Sequence, residues 1–95
     1  MTIYEALKND TNPIILDVRE NSEFNEGHIK DALHIPLNSL EAQAEGEMTD
    51  YDQPIYVYCR SGVRSKVGCH ILNSLGYTKT YNLGGILDWP EEIVK

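Results

Sequence analysis

Short runs of apolar, β-branched residues alternate with helical segments along this chain. The runs occupy positions 14–18, 32–35, 55–59 and 80–83. Ile14–Val18 lacks a clean alternation of apolar and polar residues, which indicates a strand that is buried on both faces. Strands that alternate with helices through short connections are typical of α/β domains. The sequence therefore predicts an α/β fold with a central, mostly parallel sheet of four to five short strands and helices on both faces.

Helix signals occupy the segments between these runs. Thr2 and Glu5 have the spacing of a capping box, so a helix is expected to follow through about Lys8. From Arg64 to Leu75 the apolar residues recur at helical spacing, and Gly76 stands where a C-cap is expected. Further short helices are predicted at 21–25 (stopped by Gly27), at 38–46, and from about 86 onward with a break at Pro90 and a weak continuation to the end.

Length and charge exclude several classes of function. The 95 residues are expected to form one domain that spans 1–95. Eight Lys and Arg against fifteen Asp and Glu give a net charge of −7, which disfavours nucleic acid and anionic membranes as partners. No apolar run approaches the ~20 residues of a membrane span, and no signal peptide is visible at the N-terminus. The two cysteines lack zinc-site spacing and there is no cofactor motif, so a reduced, cytoplasmic protein without a metal or cofactor is expected.

One loop concentrates the residues that carry chemistry. It lies between the predicted strand at 55–59 and the predicted helix after it, and it consists of Cys59, Arg60, Ser61, Gly62, Val63, Arg64 and Ser65. Backbone N–H groups in such a loop can converge on one point, with the dipole of the helix behind them. A thiol at that point has its pKa lowered by the amides, the dipole and the arginines. The loop therefore predicts a nucleophilic Cys59 thiolate.

The chain resembles the single-domain sulfurtransferases of the rhodanese family. The loop Cys59–Ser65 matches the active-site loop of that family. Its N-terminal motif is matched by the stretches 16–20, 23–24 and 27–29 and by Ala32 followed by 35–37. Its C-terminal pattern is matched by Leu75–Tyr77, Asn82–Gly85 and Trp89. The resemblance therefore runs from about residue 14 to residue 89. It implies a rhodanese-like fold.

The resemblance also implies a reaction. Cys59 would accept a sulfane sulfur as a persulfide, and the amides of residues 60–65 would hold that sulfur or the departing anion. Arg60 and Arg64 would attract an anionic donor such as thiosulfate, and Ser61 would donate a further hydrogen bond. The acceptor would be cyanide, a thiol or a protein thiol such as a thioredoxin-like protein, with ping-pong kinetics. The oligomeric state stays open between a monomer and a weak dimer.

Two other functions remain open from the residues. In a sulfur-carrier or interaction module, a dedicated partner would load Cys59, and free thiosulfate would not be used. A cysteine phosphatase or arsenate reductase usually has five residues between its Cys and Arg, whereas four separate Cys59 from Arg64. The narrower ring suits one sulfur atom better than a tetrahedral oxyanion. A phosphatase also needs a general acid, and Asp17, the available carboxylate, is expected to pair with an arginine or cap a loop instead.

A few residues outside the loop have structural interpretations. Cys69 is expected to be a small core residue rather than a resolving thiol. His28 is expected to make a hydrogen bond to backbone rather than to act as a base. Asp31 stands where the family often has glycine, which fits a left-handed backbone. Because only Met1 precedes Thr2, an additional N-terminal edge strand is expected to be absent or very short.

Overall fold

Four parallel strands form the centre of the computed structural model, which describes all 95 residues. The central sheet has the order β3-β1-β4-β5 and contains β1 (Ile14–Asp17), β3 (Leu33–His34), β4 (Ile55–Cys59) and β5 (Thr80–Gly85). Every residue of β4 is buried, because this strand has a neighbour on each side and a layer on each face. The predicted α/β class and parallel sheet are confirmed, with four strands.

Helices cover both faces of the sheet. The helices are α1 (Ile3–Asn9), α2 (Asn21–Glu26), α3 (Leu37–Glu47) and α4 (Val63–Leu75). Leu40 and Ala44 of α3 and Leu72 of α4 join the buried core with the residues of β4 that point to that face, including Val57. On the other face the Tyr56 hydroxyl of β4 donates to the Asp10 carboxylate, which follows α1 directly.

The helix boundaries follow the capping signals in the sequence. Thr2 and Glu5 form the predicted capping box at the start of α1. Gly76 closes α4 with a left-handed φ of 106°, as the sequence predicts. Asp31 also has a positive φ, 66°, a left-handed backbone that Asp tolerates better than most residues. Thr2 is the N-cap of α1, which begins at the next residue.

The C-terminal segment differs from the predicted helix. Residues 86–88 form one turn of 3₁₀ helix, and β6 (Ile93–Val94) then pairs antiparallel with β2 (His28–Ile29). Pro90 removes a backbone donor and biases the preceding residue toward extended conformations, so the helix cannot continue. The prediction of a weak helix to the end of the chain was therefore wrong, and the small sheet β2-β6 was not foreseen.

Candidate active site

Cys59 ends the buried central strand and lies at the floor of the loop that follows it. Only 1% of the residue is exposed. Gly62 turns the chain with a φ of 103°, a left-handed value that favours glycine, and its N–H donates to Cys59 Sγ at 3.0 Å. Helix α4 begins at the next residue, so its N-terminus faces the sulfur. The strand, the turn and the helix thus place the thiol where the sequence predicts an anion cradle.

A second hydrogen-bonded group reaches the sulfur from inside α4. The side chain of Ser65 is buried, and its Oγ lies 3.6 Å from Cys59 Sγ. Cys59 Sγ donates to this oxygen, and the Ser65 hydroxyl in turn donates to Asn82 Oδ1 at 2.7 Å. The resemblance placed Ser65 in the site through its amide, and the structure adds its hydroxyl as a direct neighbour of the thiol.

Asn82 of β5 ties the loop to the sheet. Its Nδ2 donates to the Gly62 carbonyl at 3.1 Å, and its Oδ1 accepts from the Gly84 N–H at 2.9 Å as well as from Ser65. One side chain therefore joins Gly62 and Ser65 of the loop to β5. In the sequence Asn82 stands out only as part of a motif. Its role was missed because it is 20 residues from Gly62 in the chain.

The two glycines after Asn82 let β5 approach the loop closely. A Cβ added at Gly85 would lie 2.3 Å from the Arg60 carbonyl oxygen and 2.8 Å from Ser61 Cα. A Cβ at Gly62 would lie 3.4 Å from Gly84 Cα. The backbone of the loop thus rests on the backbone of β5, and no side chain fits between them.

These contacts determine the ionisation of Cys59. Burial by itself opposes the charged form of the thiol. The Ser65 hydroxyl beside the sulfur and hydrogen bonds from the N–H groups of Ser65, Gly62 and Ser61 outweigh burial and lower the pKa of Cys59 below its ordinary value. Cys69 behaves in the opposite way, because burial without comparable donors raises the pKa of its thiol. Cys59 is therefore the more readily ionised of the two thiols.

The two arginines of the loop have different surroundings. Arg64 donates from both terminal nitrogens to the Glu23 carboxylate of α2, at 2.7 and 2.9 Å. This contact lowers the pKa of Glu23 to about 2 and raises the pKa of Arg64. Arg60 is exposed and has no salt bridge within 4 Å. The guanidinium that is free to meet an incoming anion is therefore that of Arg60, and the partner of Arg64 was missed in the sequence.

A buried ion pair lies next to the residue that precedes Cys59. Both oxygens of Asp17, at the end of β1, accept hydrogen bonds from Arg19, and the Tyr58 hydroxyl donates to Asp17 Oδ2 at 2.6 Å. Arg19 Nη2 also donates to the Gly27 carbonyl at 2.7 Å. Burial raises the pKa of Tyr58, which stays a neutral donor. The expected pairing of Asp17 with an arginine is confirmed.

An open groove lies beside the loop. It has a volume of about 340 Å³, and residues of α2, the loop and the C-terminal segment line it, among them Glu23, Arg60, Leu87 and Ile93. Leu87 is 63% exposed, and Val63 in the loop is 72% exposed. The surface around the loop thus combines apolar side chains with charges of both signs. A larger cavity of about 460 Å³ lies under α1, and no loop residue contributes to it.

Cys69 and two histidines outside the loop make structural contacts. Cys69 is half-buried and packs against the main core, and both cysteines are free thiols. His28 Nδ1 is 3.0 Å from the Phe24 carbonyl, in agreement with the expected backbone hydrogen bond. His34, for which the sequence indicated no partner, stacks on Phe24 and lies 2.8 Å from the Arg19 carbonyl through Nε2. The structure brings neither histidine into contact with Cys59.

No group of three or more His, Cys, Asp and Glu side chains has an arrangement that could hold a metal ion. None of the helices combines the length and the apolar character that crossing a bilayer requires.

Curated relatives match most of the chain. The uncharacterized protein YqhL of Bacillus subtilis is 41% identical over 80 residues, which are 83% of this chain and 62% of the relative. The putative sulfur carrier protein YrkF of the same species is 36% identical, over 90% of this chain and 45% of the relative. The thiosulfate sulfurtransferase PspE of Escherichia coli is 32% identical, over 77% and 70%. The chain thus spans roughly half to two thirds of the length of YrkF and YqhL.

A solved structure and a family model agree with these relatives. A structure described as rhodanese with anions from E. coli superposes with a TM-score of 0.83 and 30% identity, over 87% of this chain and 98% of that chain. The family model of the rhodanese-like domain matches residues 2–92, which include every strand of the central sheet and the whole loop. The chain therefore belongs to the rhodanese-like domain family.

Proposed function

We propose that this protein is a sulfurtransferase that carries a sulfane sulfur on Cys59 as a persulfide. The observation that carries the proposal is the position of the Cys59 sulfur, which is buried at the end of β4 and accepts the Gly62 N–H at 3.0 Å beneath the N-terminus of α4. Such a site favours the thiolate, and the thiolate is the form of cysteine that attacks sulfur. The loop residues Arg60, Ser61, Gly62, Val63, Arg64 and Ser65 form the proposed binding site around it.

The first half-reaction takes sulfur from an anionic donor. The Cys59 thiolate attacks the outer sulfur of thiosulfate, a Cys59 S–S bond forms, and the sulfur–sulfur bond of thiosulfate breaks. Sulfite leaves with the bonding electron pair, and the persulfide anion stays on the enzyme, so the total charge does not change. The second half-reaction passes the outer sulfur to cyanide or to a thiol, including a protein thiol, and regenerates the Cys59 thiolate.

The loop has the groups that these steps need. The outer persulfide sulfur is small and anionic, and the N–H groups of the loop and the dipole of α4 stabilise negative charge at this place. Arg60, which has no salt-bridge partner, is the charge that attracts the donor. The names of the relatives, which include a thiosulfate sulfurtransferase, support this reaction class.

A sulfur-carrier role is the second candidate, and two observations favour it. One relative is named a putative sulfur carrier protein. In addition, exposed apolar side chains flank the loop, with Val63 at 72% and Leu87 at 63% exposure, which suits contact with a protein that delivers sulfur. In this role a partner loads Cys59, and small donors react slowly.

Phosphate-ester hydrolysis fits the geometry less well. Asp17, the carboxylate that the sequence offered as a general acid, is fully buried. Its oxygens accept from Arg19 and Tyr58, so neither oxygen is available to a leaving group. Only four residues separate Cys59 from Arg64, which gives a narrow ring.

Turnover kinetics test the proposal and separate the two candidates. With thiosulfate as donor and cyanide as acceptor, the enzyme is expected to give parallel double-reciprocal lines, which are the pattern of a ping-pong mechanism. Cys59→Ser is expected to abolish turnover, whereas Cys69→Ser is the matched control that retains it. Intersecting lines, or equal losses in both variants, would contradict the persulfide mechanism. No turnover from thiosulfate, with rapid loading of Cys59 by a persulfidated protein, would favour the carrier.

A further inference from the structure

The charge of Arg64 is already neutralised inside the protein. The Glu23 carboxylate receives hydrogen bonds from both terminal nitrogens of Arg64, in the two-point geometry that is the strongest arrangement of this pair. The side chains of Arg64 and Glu23 are only 34% and 25% exposed, so water screens the pair less than it screens a surface pair. The Glu20 N–H donates to Glu23 Oε1 at 3.0 Å and fixes the carboxylate in this position.

We propose that Glu23 sets the donor preference of the site by neutralising Arg64, so that sulfur donors with one negative charge are favoured over dianions. The proposal deepens the proposed function and rests on it. It identifies the preferred donors as alkyl persulfides, R–S–S⁻, with thiosulfate as a poorer substrate.

The attraction that a donor feels depends on the number of positive charges that it meets at the site. An anion that approaches Cys59 meets the unpaired guanidinium of Arg60 and the N–H groups of the loop, while the charge of Arg64 is cancelled by Glu23. The interaction of a donor with a charge grows in proportion to the donor's own charge. A dianion therefore loses twice as much attraction as a monoanion when Arg64 is cancelled. The loop still holds the one small sulfur atom that is transferred.

The transfer from a persulfide uses the same attack. The Cys59 thiolate attacks the outer sulfur of R–S–S⁻, the new S–S bond forms on Cys59, and the sulfur–sulfur bond of the donor breaks. The thiolate R–S⁻ leaves with the electron pair, and the enzyme keeps a persulfide anion. Two negative charges enter and two remain, so no oxidant or reductant is needed.

Alkylation of Cys59 measures the local charge without any sulfur transfer. Iodoacetate is an anion and iodoacetamide is neutral, and both alkylate a thiolate at the same carbon, so the ratio of their rate constants reports the electrostatic potential at the sulfur. The measurement uses the Cys69→Ser background, in which Cys59 is the single thiol. Glu23→Gln is expected to raise the ratio about fivefold, because the glutamine amide still accepts from Arg64 but no longer cancels its charge.

Two variants control for the overall charge. Glu47→Gln removes one negative charge at the end of α3, where Glu47 is exposed, has no salt bridge and does not line the groove, and is expected to change the ratio by less than about twofold. The double variant Glu23→Gln with Arg64→Gln deletes the neutral pair. It is expected to return the ratio to within about twofold of the parent value, because no net charge has changed.

Each result decides for or against the proposal. An unchanged ratio in Glu23→Gln would overturn it, and so would an equal rise in Glu47→Gln, which would reflect net charge alone. A fall of the ratio in the double variant well below the parent value would show that Arg64 already acts on anions, and would also overturn it. With sulfur donors, Glu23→Gln is then expected to lower KM for thiosulfate more than KM for an alkyl persulfide. If Cys59 accepts no sulfur at all, the proposed function fails, while the alkylation ratio still tests the role of Glu23.

Discussion

Substitution of Gly85 tests whether the position of the loop Cys59–Ser65 depends on direct contact with β5. An alanine at this position would place its Cβ 2.3 Å from the Arg60 carbonyl oxygen, 2.8 Å from Ser61 Cα and 2.9 Å from the Arg60 carbonyl carbon. The backbone of Gly85 has a φ of −112°, which any residue adopts, so the substitution introduces no backbone strain. The only effect of Gly85→Ala is therefore to push on the loop.

The displacement of the loop that the alanine methyl group requires follows from the contact distances. Ordinary contacts between heavy atoms lie at about 3.5 Å, so the loop and β5 must separate by about 1 Å to admit the methyl group. Overpacking of this kind costs about 1–3 kcal/mol of stability. A displacement of about 1 Å at a reacting group lowers the rate of reaction by about 10²-fold. Gly85→Ala is therefore expected to remain folded and to lose most of its sulfur transfer.

Two other glycines provide matched controls. Gly46 in α3 has open space around its Cα, so Gly46→Ala is expected to keep full activity and to gain about 0.5–1 kcal/mol from better helix propensity. Gly84 also has open space but a φ of 99°, so Gly84→Ala is expected to lose about 1–3 kcal/mol through backbone strain. Gly84→Ala thus matches the destabilisation of Gly85→Ala without a methyl group against Arg60.

Urea unfolding and the single-turnover rate of Cys59 with a sulfur donor measure the two effects separately. The single-turnover rate is expected to fall much more in Gly85→Ala than in Gly84→Ala, although the two variants have similar stability. Equal rates in Gly85→Ala and the parent protein would refute the inference that the β5 backbone positions the loop. Equal losses in both variants would show that stability alone controls the rate.

Three further predictions follow from the hydrogen bonds and ion pairs around the site. Ser65→Ala is expected to raise the pKa of Cys59 through loss of the hydroxyl, so the pH midpoint of iodoacetamide alkylation moves upward; an unmoved midpoint would remove Ser65 from the thiol's environment. Asp17→Asn is expected to cost about 3–5 kcal/mol in urea unfolding, because Arg19 keeps a buried charge without its partner; a loss below about 1 kcal/mol would contradict that role. The pKa of Glu23 is lowered from 4.5 to about 2, so its ionised form stabilises the fold above pH 4.5, and this stabilisation is lost as the pH falls from about 4.5 to 2. Glu23→Gln is expected to flatten the dependence of unfolding free energy on pH in this window. If the parent protein and Glu23→Gln lose stability in parallel, Glu23 does not have this effect.

Local sequence signals predicted the elements that are long enough to show a period or a cap. The capping box of Thr2, the buried strand Ile55–Cys59 and the C-cap of Gly76 each depend on residues within a few positions of one another. The strand pair β2-β6 has two residues in each strand and joins segments that are more than 60 residues apart. Two residues cannot show periodicity, so only the folded chain reveals that the C-terminus ends in a strand.

The candidate site also has one part that local sequence signals reveal and another part that depends on contacts between distant segments. The loop Cys59–Ser65 was predictable because a thiol, a turn glycine and a helix start stand in one short stretch. The partner of Arg64 was not, because Glu23 lies 41 residues away and belongs to a different helix. Asn82 likewise contacts the loop only after β5 pairs with β4. Long-range pairing therefore decides which charges and amides act on Cys59.

Intact-mass spectrometry of the reduced protein tests the persulfide on Cys59 most directly. After treatment with thiosulfate or an alkyl persulfide, the mass is expected to rise by one sulfur atom, and cyanide is expected to reverse the gain. Cys59→Ser is expected to show no gain, and Cys69→Ser is expected to gain the sulfur like the parent protein. A gain that persists in Cys59→Ser, or a Cys59 that alkylates readily but takes no sulfur from either donor, would contradict Cys59 as the acceptor of free sulfane sulfur.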